Sequence, residues 1–175
     1  FVSQVRMMKP DYEDTGLAPL FGMPFVVLRK PVPFDTTTLN FNWQVWDTKA
    51  FSLYSRSTEK IDKKGADMAI AAVCRFLSRM NVLNYNVYGG YESTVLIEEE
   101  LVSLRSTASG LYIPHVKSFD SVERGQVLAD IIDPLTGVTV AQTEAPEDGI
   151  VFFAKDSPLV MENETLFKIV NKLHK

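Results

Sequence analysis

Few side chains in this sequence have the type and spacing that chemistry needs. Its two histidines, His115 and His174, begin neither a His-x-x-Glu nor a His-x-x-x-His pair, the spacings by which one element presents two metal ligands. A self-contained histidine-rich metal site is not expected. One cysteine, Cys74, excludes an internal disulfide and a cysteine-built zinc or iron–sulfur site. A reducing compartment fits a single thiol, and the expected location is cytoplasmic. Arg56, on a polar loop, has two readings: a bidentate grip on a substrate carboxylate or a solvated cation. Arg6 has the same two. Trp43 and Trp46 could line a pocket for an aromatic or acyl group, but packing under the loop is the expected role. His115, after Pro114, reads as a structural or exposed turn residue. The run Glu98-Glu99-Glu100 reads as a solvated edge or turn.

The elements that would position these residues follow from apolar periodicity and Pro/Gly punctuation. Residues 1–8 read as extended, Leu17–Gly22 as a short helical turn, and Pro24–Arg29 as a buried strand. Leu39–Trp46 is expected to be a short helix after a Thr-rich N-cap region. Lys49–Ser55 alternates like a strand. Asp62 then caps the clearest helix, where Met68, Ala69, Ala72, Val73, Phe76, Leu77 and Met80 make one apolar stripe. Cys74 beside that stripe reads as a small buried hydrophobe. Lys63, Lys64, Asp67, Arg75 and Arg79 are assigned to the solvent face. Strands followed by a long helix imply an α/β layer.

Beyond Gly89-Gly90 short strands dominate: 94–97, 101–106, 110–114, 126–132, 138–143, 149–154 and 165–170. Regular turns between them mark a small all-β unit, and the expected division is 1–88 and 89–175. Gly110-Leu-Tyr-Ile-Pro-His, Val122-Glu-Arg-Gly125-Gln-Val-Leu and Ala145-Pro-Glu-Asp-Gly149-Ile-Val together resemble the barrel-sandwich hybrid of biotinyl and lipoyl carrier domains. Gly125 and Gly149 are expected in tight turns. A carrier needs a lysine at the tip of its central hairpin, and here the tip is Asp133-Pro134-Leu135-Thr136-Gly137. No biotin or lipoate is therefore expected.

Taken in order, the strand around Ala50-Phe51-Ser52-Leu53-Tyr54, the long helix and the non-carrier barrel-sandwich module resemble the C-terminal part of the succinylglutamate desuccinylase/aspartoacylase family of the zinc carboxypeptidase superfamily. The resemblance implies a zinc-dependent hydrolase of N-acyl amides, acting on an N-acyl amino acid or small peptide. It implies one zinc held by a His-x-x-Glu pair and a later His, all upstream of Phe1, and none bound by this chain alone. It also implies a glutamate that shuttles the proton, near the end of the strand matching Ala50–Tyr54. Tyr54 stands at that place and Glu59 follows five residues later, so the resemblance offers both as catalytic residues. A phenol donates a hydrogen bond well but, with an ordinary pKa near ~10, is a poor base at neutral pH. The chain begins Phe1-Val2-Ser3-Gln4 without an initiator methionine or leader pattern, and is expected to be part of a longer protein.

Composition limits the alternatives. The 175 residues are 46% hydrophobic and 23% charged, enough apolar surface to fold. Eighteen Lys+Arg against 22 Asp+Glu, a net charge of −4, gives no basic surface for nucleic acid. No apolar run approaches the ~20 residues that span a bilayer, so no membrane partner is expected. The expected architecture is an α/β segment followed by an all-β barrel-sandwich module. The other function class left open is a non-catalytic interaction or assembly module, with homo-oligomerisation through the β module as one form of it.

Overall fold

The computed structural model describes residues 2–8, 15–55, 61–86 and 89–171. The chain forms two compact units, Val2–Glu100 and Leu101–Lys175.

The first unit is built on a four-stranded sheet. Strand β1 (Gln4–Met8) lies parallel to β2 (Phe25–Arg29), which lies parallel to β4 (Thr94–Ile97). β3 (Ser52–Tyr54) adds antiparallel to the other side of β1, giving the order β3-β1-β2-β4. Because side chains alternate along a strand, the register sorts them into two faces. Val5, Met7, Val26 and Leu28 share one, and they pack with Ala18, Phe21, Met23 and Ala72 in an apolar cluster joined by Leu53, Met68 and Phe76. Phe21 and Phe76 stack with ring centroids 4.2 Å apart. Gln4, Arg6, Arg29, Ser52 and Tyr54 share the other face with Phe25, Val27 and Leu96.

Helix α1 (Leu39–Val45) is capped by Thr38, whose hydroxyl accepts from the Phe41 amide at 3.4 Å. Helix α2 (Lys63–Arg79) is capped by the Asp62 carboxylate, which accepts from the Gly65 amide at 3.1 Å. Both helices stand where the apolar spacing and N-cap residues place them. The short turn at Ala18–Phe21 is a 3-10 helix closed by Gly22 at a φ of 60°, a conformation that suits glycine.

The second unit is all-β, with two four-stranded sheets whose neighbouring strands run antiparallel. One has the order β5 (Val102–Arg105), β12 (Thr165–Asn171), β10 (Gly149–Ala154), β7 (Ser121–Val122). The other has the order β11 (Leu159–Val160), β6 (Gly110–Pro114), β8 (Val127–Ile132), β9 (Thr139–Glu144). Leu128, Ile131, Val151, Leu166, Phe167 and Ile169 form a single core with Tyr112 and Val122.

Several expectations need correction. Residues 94–97 pair with β2 in the first sheet, so the chain divides after Glu100 rather than after residue 88. Arg75 is not on a solvent face: it is buried, and its Nη1 donates to the carbonyls of Phe21 and Gly22. Burial makes that guanidinium easier to deprotonate, and Arg79 adds to the effect. Trp43 and Trp46 do not pack under a loop; they are 50% and 83% exposed. Val73, placed in the apolar stripe by its spacing, is exposed too. Cys74 is half-buried. Gly149 is not a turn residue but the first of β10, where a Cβ would meet the Val170 carbonyl oxygen at 2.6 Å. Gly125 does take a positive φ of 80°. The two-residue strands β7 and β11 carry no pattern that short-range reading could find.

Candidate functional site

The polar face of the first sheet is the candidate site. β1 lies inside the sheet, between β3 and β2, a place that ordinarily reads as a continuous apolar run. Gln4 and Arg6 interrupt it, and the two-residue period puts both on the face that carries Tyr54 and Ser52. Their opposite residues are fixed by register: Gln4 faces Tyr54 and Arg6 faces Ser52.

Tyr54 closes β3 and is 39% exposed. The Arg6 guanidinium carbon lies 4.9 Å from its ring centroid, a cation–π distance. Arg6 is itself mostly buried and pairs with Glu98 at 3.5 Å. Glu98 also lies 3.7 Å from Arg29, and Arg29 lies 3.4 Å from Asp35. Asp35 is almost fully buried and also accepts from the Val32 amide at 2.8 Å. Two cations and two carboxylates thus form a chain in which each charge has a partner, as partial burial requires. The run Glu98–Glu100 is therefore not simply a solvated turn: Glu98 joins the two strand arginines, and Glu99 accepts from the Lys30 amide at 2.9 Å. Helix α1 adds the last polar pieces. Gln44 Oε1 accepts from the Met8 amide at 2.9 Å, and Asn40 Nδ2 donates to Ser52 Oγ at 2.8 Å.

Gln4 stands outside this chain of charges. It is fully buried, and among the described residues neither its Nε2 nor its Oε1 has a hydrogen-bond partner. A buried amide left unsatisfied costs about 1–3 kcal/mol, and such groups in a folded protein call for a reason. The signal was in the sequence: two polar residues at alternate positions of an otherwise apolar strand. Glu98 and Gln44, which bond Arg6 and Met8 of β1, and Asn40, which bonds Ser52 of β3, gave no local signal, because α1 and the segment after β4 reach the sheet only through the fold.

Of the residues singled out for chemistry, Tyr54 is placed on this face. Arg56 and Glu59 lie outside the described residues, as does His174. His115 is in the second unit, where its Nε2 and Asp130 Oδ2 share a hydrogen bond of 2.8 Å and Gln142 Nε2 donates to Asp130 Oδ1 at 2.8 Å. The hydrogen bonds from Gln142 and His115 hold the Asp130 carboxyl below its usual range. In the same unit, burial pushes the Tyr112 phenol up. Among the described residues no three His, Cys, Asp or Glu side chains are placed to hold a metal ion, so these residues do not fit a zinc by themselves. None of their helices is long and apolar enough to cross a membrane.

The sequence matches no protein-family model and no curated protein. The fold does match solved structures. It superposes on a succinylglutamate desuccinylase/aspartoacylase from Rhodobacter sphaeroides with a TM-score of 0.80 at 13% identity, over 99% of this chain and 55% of that one. The chain has a desuccinylase/aspartoacylase fold. The product-bound ectoine utilization protein EutE (DoeB) of Ruegeria pomeroyi gives a TM-score of 0.79 at 12% identity, over 97% of this chain and 53% of that one. A succinylglutamate desuccinylase from a Silicibacter species gives 0.75 at 13% identity, over 97% and 54%. The chain thus spans about half the length of the solved desuccinylase structures it matches. The family resemblance read from the order of its segments is found again in its backbone.

Proposed function

We propose that the chain is the C-terminal part of a zinc-dependent hydrolase that cleaves N-acyl amide bonds of an amino acid or small peptide in the cytoplasm. The observation that supports this is the superposition of nearly the whole chain on half of a desuccinylase/aspartoacylase structure. In this reading the zinc ligands lie outside the chain, and the zinc would supply the Lewis acid of an amide hydrolysis.

The chain's own part is to position groups and to move a proton. Tyr54, at the end of β3, offers a phenolic donor, and Arg6 fixes its ring from one face. Glu98 holds Arg6 in turn. Glu59 is the proton shuttle of this reading, and Arg56 the grip on the substrate carboxylate.

A second reading has a specific observation behind it. Tyr54 stands where the family resemblance asks for a glutamate, and its ring is engaged by Arg6. That favours a degenerate family member in which the fold serves interaction or assembly.

The experiment that separates the two is hydrolysis of N-succinyl and N-acetyl amino acids by the protein expressed from its full reading frame, alongside Glu59→Gln. The hydrolase reading expects stoichiometric zinc and turnover that falls at least ~100-fold in the variant, the scale on which general acid–base groups act. Full-length protein that binds zinc but cleaves none of these substrates overturns it in favour of the second reading. Unchanged turnover in Glu59→Gln removes Glu59 from the mechanism.

A further inference from the structure

Gln4 Nε2, Gln4 Oε1, Arg6 Nε and Asn40 Oδ1 are buried on the polar side of the first sheet, and among the described residues none of these atoms has a hydrogen-bond partner. They belong to one neighbourhood. Gln4 and Arg6 stand two residues apart on β1 and so share a face. Asn40 reaches that face through its Nδ2, which donates to Ser52 Oγ, and Ser52 lies opposite Arg6. Each such atom opposes folding on its own. Several together, beside charges that are all paired, call for a group that completes them.

The chemistry of that group follows from donors and acceptors. Gln4 Nε2 and Arg6 Nε donate, while Gln4 Oε1 and Asn40 Oδ1 accept. A primary carboxamide presents the complement: an oxygen that accepts twice and a nitrogen that donates twice. A carboxylate only accepts, and would set its charge against Gln4 Oε1 and Asn40 Oδ1. The charges of the face agree. Arg6 and Arg29 are balanced by Glu98 and Asp35, so an anion gains no net attraction there. Tyr54, opposite Gln4, is the member of this group open to solvent, and a ligand side chain enters beside its ring.

We propose that Gln4, Arg6 and Asn40 form a specificity site for a primary carboxamide, the side chain of a glutamine or asparagine in the ligand. The proposal rests on the hydrolase reading for its ligand, an amino acid released from its N-acyl derivative. In that reading Arg56 takes the carboxylate of the same amino acid. Gln4 pairs with the carboxamide head to tail, Nε2 donating to its oxygen and Oε1 accepting from its nitrogen. Arg6 Nε donates to the same oxygen, and Asn40 Oδ1 accepts the second N–H. Such a site rejects an analogue without the group, because its own buried atoms are then left unpaired.

Isothermal titration calorimetry on the protein expressed from its full reading frame tests this. The probes are free L-glutamine, L-asparagine, L-glutamate, L-aspartate and L-methionine, which carry no acyl bond to cleave. At least one of the two amides is expected to bind ~10-fold or more tightly than both acids and methionine. Gln4→Met should abolish that preference. Circular dichroism checks that the variant is folded, and should it not fold, Asn40→Leu carries the same expectation. Binding is read without turnover, so the two readings fail separately. A protein that prefers an amide but cleaves no N-acyl amino acid overturns the hydrolase reading and leaves the site standing. Equal affinity for all five probes, binding of none, or a preference that survives in the folded variant overturns the site. A trapped water offers the same donors and acceptors, and it predicts equal affinity.

Discussion

The two units bury their sheets in different ways. In the second, two sheets enclose one apolar core, and among its described residues only Tyr112 keeps a buried side-chain polar atom without a hydrogen-bond partner. In the first, one sheet has an apolar face against α2 and a face threaded by Gln4, Arg6, Glu98, Arg29 and Asp35. There Ser3, Gln4, Arg6, Asn40 and Arg75 each hold at least one unpartnered buried atom. Every such atom opposes folding, so the first unit is less fully optimised for stability than the second. Departures of that kind gather where a protein's surface has another task. The comparison therefore points to the polar face of the first sheet, and to Tyr54 at its end, as the part shaped by function.

The largest expected effect is in the second unit. Phe167 is fully buried in the single core, and Phe167→Ala should cost about 3–5 kcal/mol, read from urea unfolding. A loss well under that range would mean the core is looser than its burial indicates, and the contrast between the units would shrink.

The next has the opposite sign. Gln4→Met replaces a partnerless amide with an apolar side chain of similar length and should stabilise the chain by roughly 1–3 kcal/mol. Destabilisation would show that the amide has a partner in solution and would remove the main reason for setting the two units apart.

The helix that backs the apolar face gives a smaller effect. Asp62→Ala removes the N-cap of α2 and should cost about 1 kcal/mol. Asp62→Asn should restore most of it, because an amide oxygen caps as well. Failure of that rescue would assign the loss to something other than capping.

The smallest effect is a pH dependence in the second unit. Asp130 is held below the usual carboxylate range in the fold by Gln142 and His115. Its contribution is therefore complete above the unfolded-state value near ~4 and is lost as pH falls through the lower folded value. Gln142→Leu should lower the neutral plateau slightly and make the fall on acidification shallower, while stability below both values stays unchanged.

Much of this arrangement was legible in the sequence where the cause is local. α1 and α2 begin where Thr38 and Asp62 can cap them and carry apolar residues at helical spacing. The strands from β5 to β12 fall between turn residues, except for β7 and β11. Non-local causes were not legible. β4 has the composition of the β-rich half, and only its parallel pairing with β2 assigns it to the first sheet. Arg75 sits among solvent-facing residues of α2 by sequence, and it is buried because the Phe21 and Gly22 carbonyls need donors. Trp43 and Trp46 have the composition of a core and lie on the surface. In the candidate site, Tyr54 was visible from the segment order, while the chain of charge from Arg6 to Asp35 needed the sheet register.

The most direct test of the central claim, that this fold is part of an N-acyl amide hydrolase, is to sequence the reading frame immediately upstream of the Phe1 codon. A His-x-x-Glu pair followed by a strand ending in histidine is the predicted result. A start codon or secretion signal directly upstream, with no such pair, would contradict the hydrolase reading and leave the chain as a self-contained interaction module.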